Sequence, residues 1–300
     1  MRVRPSPRQA LTRALAPAYH SAAMTLTLAH SPDSDDAFMF AALAQGQIPG
    51  ALPYRHVLSD IETLNLEAEK GTYDVTAVSF HGYAAVAKTY ALLTTGASFG
   101  DGYGPTIVAK KKGDLRGKRI AVPGLRTTAY LAARLWLREF EPVVVPFDRV
   151  VDTVLEDRAD AALVIHEGQL TYAERGLELV VDLGAWWKDK TSLPLPLGGN
   201  AARRALGPET LARISRDLRA SIEHGLSHRP AAVDHALSYA RGLDRERADR
   251  FIAMYVNDWT VDFGDTGKTA IRRLLSDGVR AGVLAGAADV RFVGPDGRED

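Results

Sequence analysis

The sequence predicts an α/β protein of two lobes, joined by two chain crossings, with a ligand cleft between them. Three observations carry that expectation. From Thr25 onward, short β-rich runs alternate with amphipathic helical stretches, the pattern of parallel α/β construction. Two seams interrupt the alternation, a charged segment over 110–118 and a Pro/Gly-rich segment over 193–199. The last third then reads as helix alone. A chain that leaves one lobe, builds another and returns describes a hinged clamshell.

Taken in order, residues 25–29 read as a strand and 35–45 as a helix stopped by Gly46. Ser59-Asp-Ile-Glu62 has the form of a capping box, with Ile61, Leu64 and Ala68 on one face. A strand over 73–78 feeds a helix beginning near His81, and a Gly-rich connection over 96–104 precedes a strand over 106–111. A second series follows: strand 119–122, helix 128–140, strand 143–146 and a helix over 149–157 capped by Asp148. An apolar strand over 161–165 ends at His166, and a strand over 179–183 runs into Gly184-Ala-Trp-Trp187. Helical periodicity covers 209–228, 231–242, 245–259 and 266–284, with no strand expected among them. The domains expected are 24–105 with 199–290 as one discontinuous unit, 106–198 as an insert and 291–300 as a tail. Residues 1–23 carry Arg2, Arg4, Arg8 and Arg13 without an acidic residue, and Pro17 breaks their apolar run. They read as a disordered extension, with Met24 opening the fold.

Composition narrows the function. Lys plus Arg equals Asp plus Glu at 37 each, so nothing favours nucleic acid or an anionic membrane as partner. The chain has no Cys, which removes disulfides, thiolate nucleophiles and Cys-type zinc sites and suits a cytoplasmic location. No apolar run reaches the roughly 18 residues of a membrane span. Neither a Gly-x-x-x-x-Gly-Lys phosphate loop, a Gly-x-Ser-x-Gly elbow nor a His-Glu-x-x-His pair occurs. No cofactor is expected, and the oligomeric state is left between monomer and homodimer.

In open parallel sheets, ligands bind beyond the carboxyl ends of strands, where helices begin and free N–H groups favour anions. Four such junctions carry hydroxyl or acid–base groups: Ser31-Pro-Asp-Ser-Asp-Asp36, Ser79-Phe-His81, Arg126-Thr-Thr128 and Ile165-His-Glu167. Each alone reads as helix capping; together, on two lobes, they read as a grip on one small carboxylated ligand. His166 at the end of its apolar strand is placed to act as general base. The alternatives are a structural histidine there, or His81 as the base. Glu167 would point to the opposite face if the strand continued through it. Asp33, Asp35 and Asp36 have the chemistry of a divalent-cation site, but capping is the favoured reading and no metal is expected. Trp186 and Trp187 are read as core rather than as a stacking platform.

Ile165-His-Glu167, Asp182-Leu-Gly-Ala-Trp-Trp187 and Leu193-Pro-Leu-Pro-Leu-Gly198 resemble 1,4-dihydroxy-6-naphthoate synthases of the futalosine route to menaquinone. Their superfamily includes chorismate dehydratase. The similarity extends through Asp60-Ile-Glu-Thr-Leu-Asn65, Gly104-Pro105, Val122-Pro-Gly124, Thr127-Thr-Ala-Tyr130 and Tyr255-Val-Asn257. The resemblance implies a type II periplasmic-binding-protein-like fold and a cofactor-independent carbon–carbon lyase. It implies His166 as the base and Ser31, Asp36, Asn65, Ala77, Ser79, Thr127 and Thr128 as substrate-binding positions. The first turn departs from the family's Ser-Pro-Cys-Pro-Asn-Asp-Thr-Phe: here Asp33 and Asp35 stand for Cys and Asn, Ser34 for Pro and Ala37 for Thr.

Overall fold

A computed structural model describes residues 25–240, 243–286 and 289–300; the expected extension 1–23 lies outside them. The strands are β1 (Leu26–His30), β2 (Tyr54–Leu58), β3 (Val75–Ser79), β4 (Tyr90–Leu93), β5 (Ser98–Gly100), β6 (Thr106–Ala109), β7 (Arg119–Val122), β8 (Glu141–Val144), β9 (Ala161–Val164), β10 (Glu178–Asp182), β11 (Leu195–Arg203) and β12 (Phe292–Val293). The helices are α1 (Ser34–Ala44), α2 (Ile61–Glu69), α3 (Phe80–Val86), α4 (Thr128–Trp136), α5 (Val150–Leu155), α6 (Gly168–Thr171), α7 (Leu183–Thr191), α8 (Pro208–Ser227), α9 (Arg229–Ala236), α10 (Arg245–Tyr255), α11 (Asp258–Val261) and α12 (Gly264–Arg280).

Two sheets organise them. The first has the order β12-β4-β11-β3-β1-β2, with β5 on β11; the second runs β10-β6-β9-β7-β8. Each is parallel at its centre, where β1 pairs with β2 and β3 and β7 pairs with β8 and β9. Antiparallel strands complete both, because β11 returns against β3 and β4, and β6 against β9. The chain therefore passes to the second sheet between β5 and β6 and comes back between β10 and β11. Segment 110–118, expected as a seam, joins β6 to β7 inside the second sheet. β11 runs through position 198/199, and Phe292–Val293, within the stretch read as a tail, extends the first sheet beside β4.

Side-chain burial explains the assembly. One core fills the space shared by both sheets: Val78 and Leu92 from the first, Ile107, Ile120 and Leu163 from the second, with Trp187 among them. The amphipathic α12 adds Ala270, Ile271, Leu274 and Leu275 to it. A second core beneath the first sheet joins Leu26, Leu28 and Phe38 to Ile214, Leu218 and Ile222 of α8. A third, with Val108, Ala121, Val150 and Val154, covers the other face of the second sheet.

Several expectations are corrected. The cap of α2 is Asp60, which accepts from the Thr63 N–H at 3.1 Å, rather than Ser59; Glu62 reaches the other lobe instead of closing a capping box. Helix α4 stops at Trp136 rather than 140, because β8 begins at Glu141 and Pro142 holds the preceding residue extended. Asp148 lies within a 3-10 turn, Phe147–Arg149, that follows Pro146, and it caps nothing. The helix expected over 245–259 divides at Val256, where the Asn257 side chain caps α11.

Candidate active site

One cavity opens at the carboxyl ends of β1, β3 and β9, and Ser31, Asp36, Ala77, Ser79, Thr127, Thr128 and His166 all border it. Asn65 does not. It stands behind the wall, accepting the Ser79 N–H at 2.9 Å and donating from Nδ2 to Ser79 Oγ at 3.1 Å, which aims that hydroxyl. A Cβ on Gly82 would lie 2.7 Å from Asn65 Oδ1, so only glycine lets α3 approach this closely.

The two threonines at the start of α4 differ in what they have left to offer. Thr127 Oγ1 accepts from the Tyr130 N–H at 3.1 Å and donates to Gly124 O at 3.0 Å, so its proton is committed. Thr128 Oγ1 accepts from the His81 N–H at 3.1 Å and retains its own proton for a ligand. His81, the competing base, does not border the cavity. Its Nδ1 donates to Thr127 O at 3.1 Å, and burial holds its pKa below the ordinary value. It is an inter-lobe contact.

His166 takes another path. Strand β9 ends at Val164, and His166 then adopts φ +54°, a left-handed conformation that costs a non-glycine residue about 1 kcal/mol or more. That turn brings the imidazole back toward β1's end, where Nδ1 lies 3.1 Å from Asp33 Oδ2 and the ring meets Phe147 edge-on at 5.1 Å. Glu167, the next residue, reaches the same first turn and accepts from Ser34 Oγ at 3.0 Å, so it does not point to the opposite face from His166.

The acidic first turn is more than a cap. Asp33 Oδ1 does accept from the Asp36 N–H, and Asp36 Oδ2 accepts from the Ser31 N–H at 2.7 Å. Burial alone would raise the Asp33 pKa; the facing His166, with Nδ1 hydrogen-bonded to Oδ2, outweighs it and holds this carboxyl well below the usual range. Burial, then the Asp33 charge, pushes Asp35 and Asp36 the other way. Ligand atoms of Asp33, Asp35 and His166 lie within 4.8 Å of one another, so these three could hold a divalent ion.

Sequence reasoning passed over Asn200 and Gln169, which also border the cavity, and quoted Tyr255 without a site role. Asn200 Nδ2 donates to Gly96 O at 2.7 Å, while its Oδ1 is buried with no hydrogen-bond partner among the described residues. Tyr255 donates from its hydroxyl to Gln169 Oε1 at 2.8 Å, across the cleft. The tryptophan pair is core: Trp187 is fully buried with its indole N–H on Pro194 O at 3.2 Å, and neither ring borders the cavity.

A sequence profile of the family described as menaquinone biosynthesis matches residues 26–279. The chain belongs to that family. Two relatives of this menaquinone biosynthesis enzyme are 1,4-dihydroxy-6-naphthoate synthases. One, from Thermus thermophilus, is 39% identical over 269 residues, which is 89% of this chain and 99% of the relative. The other, from Streptomyces coelicolor, is 38% identical over 279 residues, 91% of this chain and 97% of its own. A crystal structure from Archaeoglobus fulgidus superposes with a TM-score of 0.85 at 48% identity, covering 87% of this chain and 98% of its own. The alkanesulfonate-binding protein of Xanthomonas axonopodis superposes with a TM-score of 0.64 at 14% identity, covering 89% and 96%. That likeness carries the fold alone, which is the periplasmic-binding-protein fold.

Proposed function

We propose that the chain converts cyclic dehypoxanthine futalosine to 1,4-dihydroxy-6-naphthoate with loss of a dihydroxyacetone-type fragment, with His166 as general base. The observation that carries this reading is the position of His166, half-buried on the cavity wall at the carboxyl end of β9. Breaking the carbon–carbon bond begins with removal of a substrate proton, and the His166 imidazole is the group on this wall placed to accept it. The relatives' shared name supports the choice of reaction. The N-terminal turn of α4, with the Thr128 hydroxyl, and Ser79 opposite it supply donors for the substrate carboxylate. Catalysis proceeds without cofactor or metal in this proposal, and the cytoplasm is its location, in keeping with the cysteine-free composition. Among the described residues no helix is long and apolar enough to cross a membrane.

The test is His166→Asn. The variant should fold and bind substrate but lose about 10²–10⁴-fold in turnover, the usual range for one general base. Full turnover would remove His166 from the chemistry.

A further inference from the structure

We propose that Asp33 is the positioning residue of the base: it takes the Nδ1 proton of His166 across the cleft and so leaves Nε2 bare to act. The inference rests on the reading of His166 as the base and deepens it. Asp33 Oδ2 lies 3.1 Å from His166 Nδ1, and the Asp33 side chain is only 3% exposed. An ionised carboxylate has no proton to give, so the nitrogen facing it must carry one, and in the neutral ring the other nitrogen is then the acceptor.

The carboxylate is itself held. Its Oδ1 accepts from the Asp36 N–H at the start of α1, so Oδ2 is oriented by the helix backbone rather than by a free rotor. His166 is constrained on its side by its left-handed backbone and by the edge of Phe147.

The pair also joins the two sheets. Asp33 follows β1 of the first and His166 follows β9 of the second, 133 residues later. Ser34 and Glu167, one step along each chain, bond beside them at 3.0 Å. The contact that sets the tautomer and orientation of the base therefore spans the two sheets.

The experiment compares wild type, Asp33→Asn, Asp33→Ser, His166→Asn and the double variant Asp33→Asn/His166→Asn in buffer containing EDTA. Asparagine keeps an oxygen for the Asp36 N–H but turns an amide donor toward Nδ1, which forces the proton onto Nε2. Serine keeps a capping oxygen and lacks the carboxylate, and thermal melting checks that both variants fold. Asp33→Asn should lower kcat by about 10²–10⁴-fold with KM changed only a few-fold, the pattern of a wrong tautomer. Asp33→Ser should lose kcat as well, and the double variant should be no slower than His166→Asn. Nitrogen-15 spectra of labelled histidine should show His166 protonated on Nδ1 in wild type and on Nε2 in Asp33→Asn. A folded Asp33→Asn with wild-type kcat, or losses that add in full in the double variant, would overturn the proposal while leaving an inactive His166→Asn to support the base. A fully active His166→Asn would overturn both. Wild-type activity abolished by EDTA and restored by manganese would make Asp33 a ligand, and would overturn the proposal too.

Discussion

Asp33, Asp35 and Asp36 occupy one helical turn yet do not present three equal charges to the cavity. The imidazole of His166 draws Asp33 toward its ionised form, while burial and the Asp33 charge favour the protonated forms of the other two. The turn therefore tends to carry less negative charge than the sequence Asp-Ser-Asp-Asp suggests. Beneath the same turn, His30 is buried against His56, with Nε2 to Nδ1 at 3.1 Å, and burial lowers its pKa to about 4. Since the unfolded chain binds the proton near pH 6.5, stability from this group is complete above that pH and is lost as pH falls toward about 4. Urea unfolding at pH 7.5 and pH 5 should show wild type losing roughly 2 kcal/mol more than His30→Gln between the two. An equal loss in both would place the acid sensitivity elsewhere. The threonines divide in the same residue-level way. Thr128→Val should raise KM by about 10- to 100-fold, the worth of a hydrogen bond to a charged acceptor. Thr127→Val should cost about 1 kcal/mol of stability, because its oxygen is a helix cap. Matching KM effects without a stability change would contradict this division.

At the scale of elements, what the sequence revealed follows from burial. Strands β3, β7 and β9 are wholly or almost wholly buried, and the apolar run of β9, the Ile-Ala-Val of β7 and the β-branched Val75, Thr76 and Val78 of β3 announce them. Strand β2, Tyr54–Leu58, escaped notice because it is a half-exposed edge strand carrying Arg55 and His56. Strand β5, Ser98–Gly100, is three residues long and exists by pairing with β11, a partner about 100 residues away that no local pattern shows. Helix α7 depends on a similar close approach. A Cβ on Gly184 would collide with Tyr103 O and lie 2.6 Å from Gly104 N, where the chain passes from β5 toward β6. Gly184→Ala should therefore destabilise the fold by about 1–3 kcal/mol, as overpacking does, and lower Tm by several degrees. An unchanged melting curve would show that the crossing can shift to make room.

At the scale of the molecule, the cleft is built from strand ends, so its hydroxyl groups and its histidine were legible at strand–helix junctions. The partnerships among them were not. Asp33 meets His166, Tyr255 meets Gln169, and Glu62 accepts the Arg126 N–H at 3.0 Å, each across the cleft and between residues 64 to 133 positions apart. Asn200 enters because β11 returns antiparallel beside β3, pairing with Ala77. The two-lobed scaffold is proposed as a catalyst for one substrate rather than a holder of many. Purified protein incubated separately with cyclic dehypoxanthine futalosine and with chorismate, with products followed by mass spectrometry, tests it most directly. The expected outcome is 1,4-dihydroxy-6-naphthoate from the first and unchanged chorismate from the second. Dehydration of chorismate, or tight binding of the futalosine derivative without turnover, would contradict it.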